Sequence, residues 1–205
     1  ETSGPSTVNF AAAQARKQKI VDGIVKSLGG FMKSKKITIL DGVGTLGAGR
    51  VVTVTHPDGS TSSVQGNNVV LASGSVPLVL AGFEPSGPVM TSDEVLMLAY
   101  VPNRVAVIGG GAIGCEFAST FADLGSQVTI LEGLPKILPG LDSDVANVVV
   151  RSFKKKQIDI RTGVKVTGHT PNGSGGTTVH FGEGEGVEVD AVVVSVGRRP
   201  YADLL

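Results

Sequence analysis

Gly109, Gly111 and Gly114 follow the apolar run Val105 to Ile108 in the segment VAVIGGGAIGCEF. Glu132 closes the next apolar run, VTILE, 18 residues after Gly114. A G-x-G-x-x-G that leaves a strand and opens a helix, with an acid about 20 residues further on, is suited to holding a dinucleotide. Each position has a physical reason. Gly109 permits the tight turn, Gly111 lets backbone approach a pyrophosphate, and Gly114 lets the helix lie close to the strand. The unpaired amides and positive dipole end of the helix Ala112 to Leu124 then attract the phosphates. Glu132 can accept hydrogen bonds from the adenosine ribose hydroxyls, each charge-assisted and worth roughly 1.5–3 kcal/mol. A 2′-phosphate would instead face a carboxylate, at a cost of roughly 4 kcal/mol per pair of unit charges at about 4 Å and an effective dielectric near 20. Gly133 and Leu134 follow, with no Arg to receive that phosphate, so NAD is favoured over NADP.

Other reactive side chains are sparse. The single cysteine of the 205 residues, Cys115, lies in the first turn of the glycine-led helix. A thiol there can have a lowered pKa; the simpler expectation is a small residue packed between helix and sheet. One cysteine cannot form an intrachain disulfide and fits a reducing compartment. His56, His169 and His180 lack metal-ligand spacing, and no metal site is expected. Net charge is +0, so no bulk field draws the chain to nucleic acid or an acidic membrane. The uncharged stretch Val69 to Phe83 is too short to span a bilayer. The 29 glycines and 4% aromatics suit an α/β protein with many tight turns.

The elements that must position these groups can be read from periodicity. Asn9 is the expected cap of a long helix carrying an apolar stripe: Ile20, Val21, Ile24, Val25, Leu28, Phe31 and Met32. Gly29-Gly30 should weaken it near its end. Lys36 to Leu40 reads as a strand. Val51 to Thr55 and Ser62 to Gln65 alternate around Pro57-Asp58-Gly59, a hairpin pattern. VVLASGSVP, residues 69 to 77, reads as an apolar strand entering Ser73-Gly74-Ser75. Pro85 to Met90 is a connector, Asp93 to Leu98 a short helix, and Pro102 a domain boundary. After Glu132 come an amphipathic helix, Asp142 to Gln157, with Val145, Val148, Val149 and Phe153 on one face. Strands are expected at Ile158 to Arg161, Val164 to His169, Thr177 to Phe181 and Val187 to Val189, and a buried one at residues 191 to 196, ending in Gly197-Arg198-Arg199-Pro200.

In order, VVLASGSVP, VIGGGAIGCEF with VTILE, and VVVSVGRRP resemble the flavin-dependent pyridine nucleotide-disulfide oxidoreductases. The first segment, with a long helix before GVG, is most similar to the dihydrolipoamide dehydrogenase branch. The resemblance implies an α/β fold: a partial FAD-binding domain over residues 1–101, then a Rossmann-like NAD-binding domain over residues 102–205, a parallel sheet with helices plus an antiparallel β-meander. It implies an NAD site lined by Gly109, Gly110, Gly111, Ala112, Ile113, Gly114, Cys115 and Glu116. Glu116 would lie near the nicotinamide end, Glu132 on the adenosine ribose, Val166 at the adenine, and Gly197 beside the dinucleotide. Gly44, Ser73, Gly74 and Ser75 would touch FAD.

For an intact relative it implies an oxidoreductase that takes electrons from dihydrolipoamide through a disulfide and FAD to NAD. That substrate would be carried on an acyltransferase subunit of a 2-oxoacid dehydrogenase complex. A homodimer is implied, in the cytoplasm or, in a eukaryote, the mitochondrial matrix. The departures are as informative. A flavin-binding G-x-G-x-x-G, a C-x-x-x-x-C redox pair, the later acidic flavin motif and the His-Glu acid-base pair are absent from these 205 residues. No catalytic residue is therefore expected here, and the chain reads as an internal fragment without lipoamide turnover. Tyr201 stands where the family often has Asn. Mercuric reductases and soluble transhydrogenases share the same motifs, and a non-catalytic NAD-binding module is the alternative from another class.

Overall fold

The computed structural model describes residues 8–202, and the contacts divide the chain into two compact units. One comprises Ala15–Val76 with Arg199–Leu205; the other comprises Glu1–Gln14 with Pro77–Arg198. Residues Pro77 to Val101 thus count with the glycine-rich segment.

The long helix is α1 (Phe10–Ser34), which counts with the smaller unit from Ala15 onward, and its first turn is capped where the Ala12 amide donates to Asn9 Oδ1 at 3.0 Å. Gly29-Gly30 does not end it; the helix runs to Ser34, and Lys36 at φ +58° turns the chain away. None of its residues is buried, so the expected apolar stripe lies open. An antiparallel sheet follows, from β1 (Val43–Leu46), β2 (Val51–Thr55) and β3 (Thr61–Gln65) in the order β1-β2-β3. The β2–β3 hairpin closes as expected: Asp58 accepts from the Ser60 amide at 2.9 Å, and Gly59 adopts φ +82°.

Two expected strands do not form. Residues 36 to 40 and 69 to 71 lie outside any strand, and only Ser75–Pro77 (β4) is extended in the latter segment. The reason is pairing. Apolar alternation makes a strand only where a neighbour accepts its hydrogen bonds. Among the described residues neither segment has one, and Val70 stays 86% exposed.

In the larger unit come β5 (Val89–Met90), α2 (Ser92–Val95), β6 (Arg104–Ile108), α3 (Ala112–Asp123), β7 (Gln127–Glu132), α4 (Ser143–Lys155), β8 (Asp159–Thr162), β9 (Val166–Pro171), β10 (Thr177–Phe181), β11 (Glu185–Val189) and β12 (Ala191–Val194). A last strand, β13 (Arg198–Pro200), pairs with β4. The central sheet is parallel, in the order β5-β12-β6-β7-β8. Its strands alternate strictly. Val105 and Val107 join Phe121, Val128, Ile130 and Phe153 on the helix side. Ala106 and Ile108 face Phe83, Val179 and Phe181 on the other side, under the antiparallel β9-β10-β11 meander. Three layers result: helices, parallel sheet, meander. The fold class is the expected α/β one.

Local sequence explains the edges of these elements. Thr91 and Glu94 form a capping box on α2, and Asp142 caps α4 through the Asp144 amide at 2.8 Å. The face expected for α4 needs correction. Val145 and Val148 are exposed, while Ala146 and Phe153 are buried and Val149 packs against the same core, so the buried face is turned toward Ala146 and holds one of the three valines expected on it. Arg104 ties the start of β6 to the turn before β12, its guanidinium 2.8 Å from Asp190, and this holds the Asp190 carboxyl below its ordinary range. No helix among the described residues is long and apolar enough to cross a membrane.

Candidate functional site

Because β7 and β8 extend to one side of β6 and β12 lies on the other, the chain changes direction at β6. In open α/β sheets ligands occupy the crevice at the carboxyl ends of the strands flanking such a point. Gly109 leaves β6 there, and Ser195 leaves β12 beside it. Gly109 adopts φ +102°, and a side chain on it would come within 2.5 Å of the Ser195 carbonyl oxygen. Gly114 sits against the Gly109 carbonyl, with no space for a methyl. Gly111 is different: nothing lies within 4 Å of where its Cβ would be. The first two glycines are required by packing, and Gly111 opens toward a cavity.

That cavity, about 820 Å³, is lined by Gly109, Gly111, Ala112 and Ile113, and by Glu132, Val166 and Gly197 among others. The start of α3 has no side-chain cap, and the amides of Gly111, Ala112 and Ile113 precede its first helical bond, Cys115 N–H to the Gly111 carbonyl at 2.9 Å. Such unpaired amides at a helix start attract anions. Glu132 is 8% exposed and adjoins the turn: its Oε2 accepts from the Gly110 amide at 2.6 Å, its Oε1 from the Leu134 amide at 2.7 Å. A buried carboxylate is tolerated when both oxygens are hydrogen-bonded in this way.

The residues anticipated for the dinucleotide therefore divide. Gly109, Gly111, Ala112, Ile113, Glu132, Val166 and Gly197 line one cavity. Gly110, Gly114 and Cys115 are buried behind it, and the Gly110 amide is committed to Glu132. Glu116 is exposed and is not part of the lining. Sequence reasoning missed Leu80, Ala81, Pro139, Val164, Lys165 and Ser195. Lys165 adds a cation to the lining where no Arg was found in sequence. Its neighbour Val164 donates to the Glu132 carbonyl at 3.1 Å, a strand-to-strand contact that sequence spacing does not reveal.

The pyridine nucleotide-disulphide oxidoreductase profile matches residues 4–205. The chain belongs to that family. It is 36% identical to the dihydrolipoyl dehydrogenase of Trypanosoma brucei brucei, over 95% of this chain and 42% of that protein. To the dihydrolipoyl dehydrogenase of Geobacillus stearothermophilus it is 34% identical, over 97% of this chain and 43% of that protein. Among solved structures, LpdA from Mycobacterium tuberculosis is similar with a TM-score of 0.88 at 25% identity, covering 98% of this chain and 45% of that one. The HOCl-induced flavoprotein disulfide reductase RclA from Escherichia coli matches with a TM-score of 0.85 at 27% identity, covering 97% and 45%. The chain spans less than half the length of these relatives.

For a member of a disulfide oxidoreductase family, the state of Cys115 matters. Its thiol is buried, with Sγ 3.4 Å from the Gly110 carbonyl. Burial, followed by the charges of Glu132 and Glu116, pushes its pKa up to about 11. The lowered pKa that a helix start can give is therefore not realised, and the packed, unreactive thiol is what the structure holds. A thiol-reactive disulfide reagent at pH 8 should leave Cys115 unmodified in the folded chain and react fully after unfolding; rapid reaction with folded protein would contradict this. The same shift has a sign for stability. Between the unfolded thiol's pKa near 9 and about 11 the folded state retains a proton that the unfolded state releases, so stability falls as pH rises through that window.

The residues anticipated for FAD lie in the smaller unit. Gly44 is inside β1 opposite Val54, in a strand of the hairpin sheet and not in a turn closing an earlier strand. Gly74 adopts φ +78°, and the Ser73 hydroxyl donates to the Tyr201 carbonyl at 2.5 Å while the Tyr201 amide donates to the Gly74 carbonyl at 3.0 Å. Ser75 begins β4. The histidines are engaged locally: His56 with the Asp41 carbonyl and Ser62, His169 with Thr177, His180 with Thr170. No group of side chains suited to a metal ion occurs among the described residues.

Proposed function

We propose that this chain supplies the NAD site, and part of the FAD site, of a dihydrolipoyl dehydrogenase. The observation that carries the reading is the joint between the Gly110 amide and the Glu132 carboxylate at 2.6 Å, beside a cavity into which Gly111 and three free amides open. In that cavity the Gly111, Ala112 and Ile113 amides hold the pyrophosphate, and Glu132, with lone pairs to spare, accepts from the adenosine ribose. Val166 borders the adenine, and Gly197 flanks the dinucleotide toward its nicotinamide end. The apolar lining (Ile108, Leu131, Val196) excludes water and strengthens these polar contacts. When bound, the nicotinamide supplies the two-electron acceptor.

Residues 102–205 act as the NAD-binding domain and residues 1–101 as a partial FAD-binding domain, with Gly44, Ser73, Gly74 and Ser75 as flavin contacts. The whole enzyme oxidises dihydrolipoamide borne on an acyltransferase subunit of a 2-oxoacid dehydrogenase complex, acting as a homodimer in the cytoplasm or mitochondrial matrix. The curated relatives named above support this branch. The 205 residues, with one buried cysteine, offer no dithiol for that reaction.

Titration of the chain with NADH and NADPH, read by nicotinamide fluorescence, tests the site. NADH should bind weakly and more tightly than NADPH, since Glu132 opposes a 2′-phosphate, and dihydrolipoamide turnover by this chain alone should be undetectable. Equal affinities for the two, or measurable turnover, would overturn the assignment.

A further inference from the structure

Ser195 occupies an unusual position in the crevice. Its amide donates to the Ile108 carbonyl at 2.8 Å, continuing the β12–β6 pairing one residue past the strand end. Its hydroxyl then lies 3.0 Å from the Ile108 carbonyl and 3.0 Å from the Gly109 carbonyl, so one proton is shared between the last residue of β6 and the first glycine of the turn. The same oxygen faces the first turn of α3, 2.6 Å from where a Cβ on Gly114 would stand. Ser195 also lines the cavity. One hydroxyl thus touches the strand end, the turn and the helix start, the three pieces whose mutual placement aims the amides of Gly111, Ala112 and Ile113.

We propose that Ser195 is a positioning residue for the phosphates of the bound dinucleotide. It tethers the Gly109 carbonyl across the crevice, so that the peptide planes following it keep their amides directed into the cavity. This rests on the reading of the cavity as the NAD site. The tether is directional in a way that packing alone is not. A residue of similar size without a strong donor fills the same space but leaves the Gly109 carbonyl without this tether. Adenosine, which reaches Glu132 and Val166 but not the amides of the turn, is insensitive to its loss.

The test uses the whole chain with Ser195→Ala, Ser195→Cys and Ser195→Thr, binding NADH, ADP-ribose and adenosine, with thermal unfolding in parallel. Ser195→Ala should weaken NADH and ADP-ribose about fivefold, the effect of one net hydrogen bond, and leave adenosine unchanged. Ser195→Cys, whose thiol is a weak donor, should behave like alanine and serves in its place if the alanine variant is unstable. Ser195→Thr, which keeps the hydroxyl, should restore pyrophosphate binding. Unchanged NADH affinity in both Ser195→Ala and Ser195→Cys would overturn the proposal, as would a loss that is equal for adenosine and ADP-ribose. If the unsubstituted chain binds neither NADH nor ADP-ribose, the NAD-site reading itself fails and takes this inference with it.

Discussion

Gly111→Ala should strongly weaken NADH binding while leaving the stability of the chain unchanged, whereas Gly114→Ala should damage both. At Gly111 the backbone lies at φ −73°, which any residue adopts, and the space beyond is empty. A methyl group there costs the folded chain nothing, yet it stands where backbone must approach a pyrophosphate. Accommodating that methyl costs the bound state about 1–3 kcal/mol, so a loss of roughly tenfold to a hundredfold in NADH affinity is expected. At Gly114 a methyl meets the Gly109 carbonyl and the Ser195 hydroxyl, neither the far end of a flexible chain. Relief requires α3 to move off the sheet, an overpacking penalty of about 1–3 kcal/mol. Alanine's better helix propensity offsets up to about 1 kcal/mol of it. Chemical denaturation and fluorescence titration of both variants separate the two roles. Equal NADH affinity for Gly111→Ala and the unsubstituted chain would mean that the turn holds no phosphate.

Glu132→Ala carries the second large effect, because the carboxylate does two things. It satisfies the Gly110 and Leu134 amides inside the fold and presents its remaining lone pairs to the cavity. Removal leaves two donors without an acceptor, each costing about 1–3 kcal/mol unless water replaces the oxygen. It also removes the repulsion that discriminates against a 2′-phosphate, while Lys165 remains in the lining. The variant should therefore be less stable, bind NADH more weakly, and lose its preference for NADH over NADPH. Glu132→Gln, similar in shape, should retain part of the stability but not the preference, since an amide group offers only one acceptor oxygen to two donors. A Glu132→Ala chain with unaltered stability and an unaltered preference would remove Glu132 from both roles.

The parts of this site that could be read from sequence are those made by neighbours in the chain. The turn at Gly109 to Gly114, its helix and the acid closing β7 form one β-α-β unit, so their geometry follows from spacing. The β2–β3 hairpin was legible for the same reason: Asp58 and Gly59 encode it locally. Contacts supplied by distant segments were not legible. Ser195 reaches Gly109 only because β12 lies beside β6, and Lys165 joins the lining only because β8 and the residues after it lie beside β7.

The strands expected near Lys36 and Val69 fail for a related reason. Their apolar alternation states a preference, but a ladder needs a partner, and the described residues provide none. Gly29-Gly30 shows the limit of propensity: a penalty of roughly 1 kcal/mol per glycine does not stop a helix already 19 residues along when it reaches Gly29. Cys115 shows a competition between two local effects. The helix start favours a thiolate, and burial beside Glu132 and Glu116 disfavours it more.

A crystal structure of the chain grown with NADH tests the central claim most directly. Pyrophosphate oxygens should lie within hydrogen-bonding distance of the Gly111, Ala112 and Ile113 amides, and adenosine ribose hydroxyls on Glu132. Density for the dinucleotide elsewhere, or bound in this cavity with its phosphates turned away from the start of α3, would contradict it.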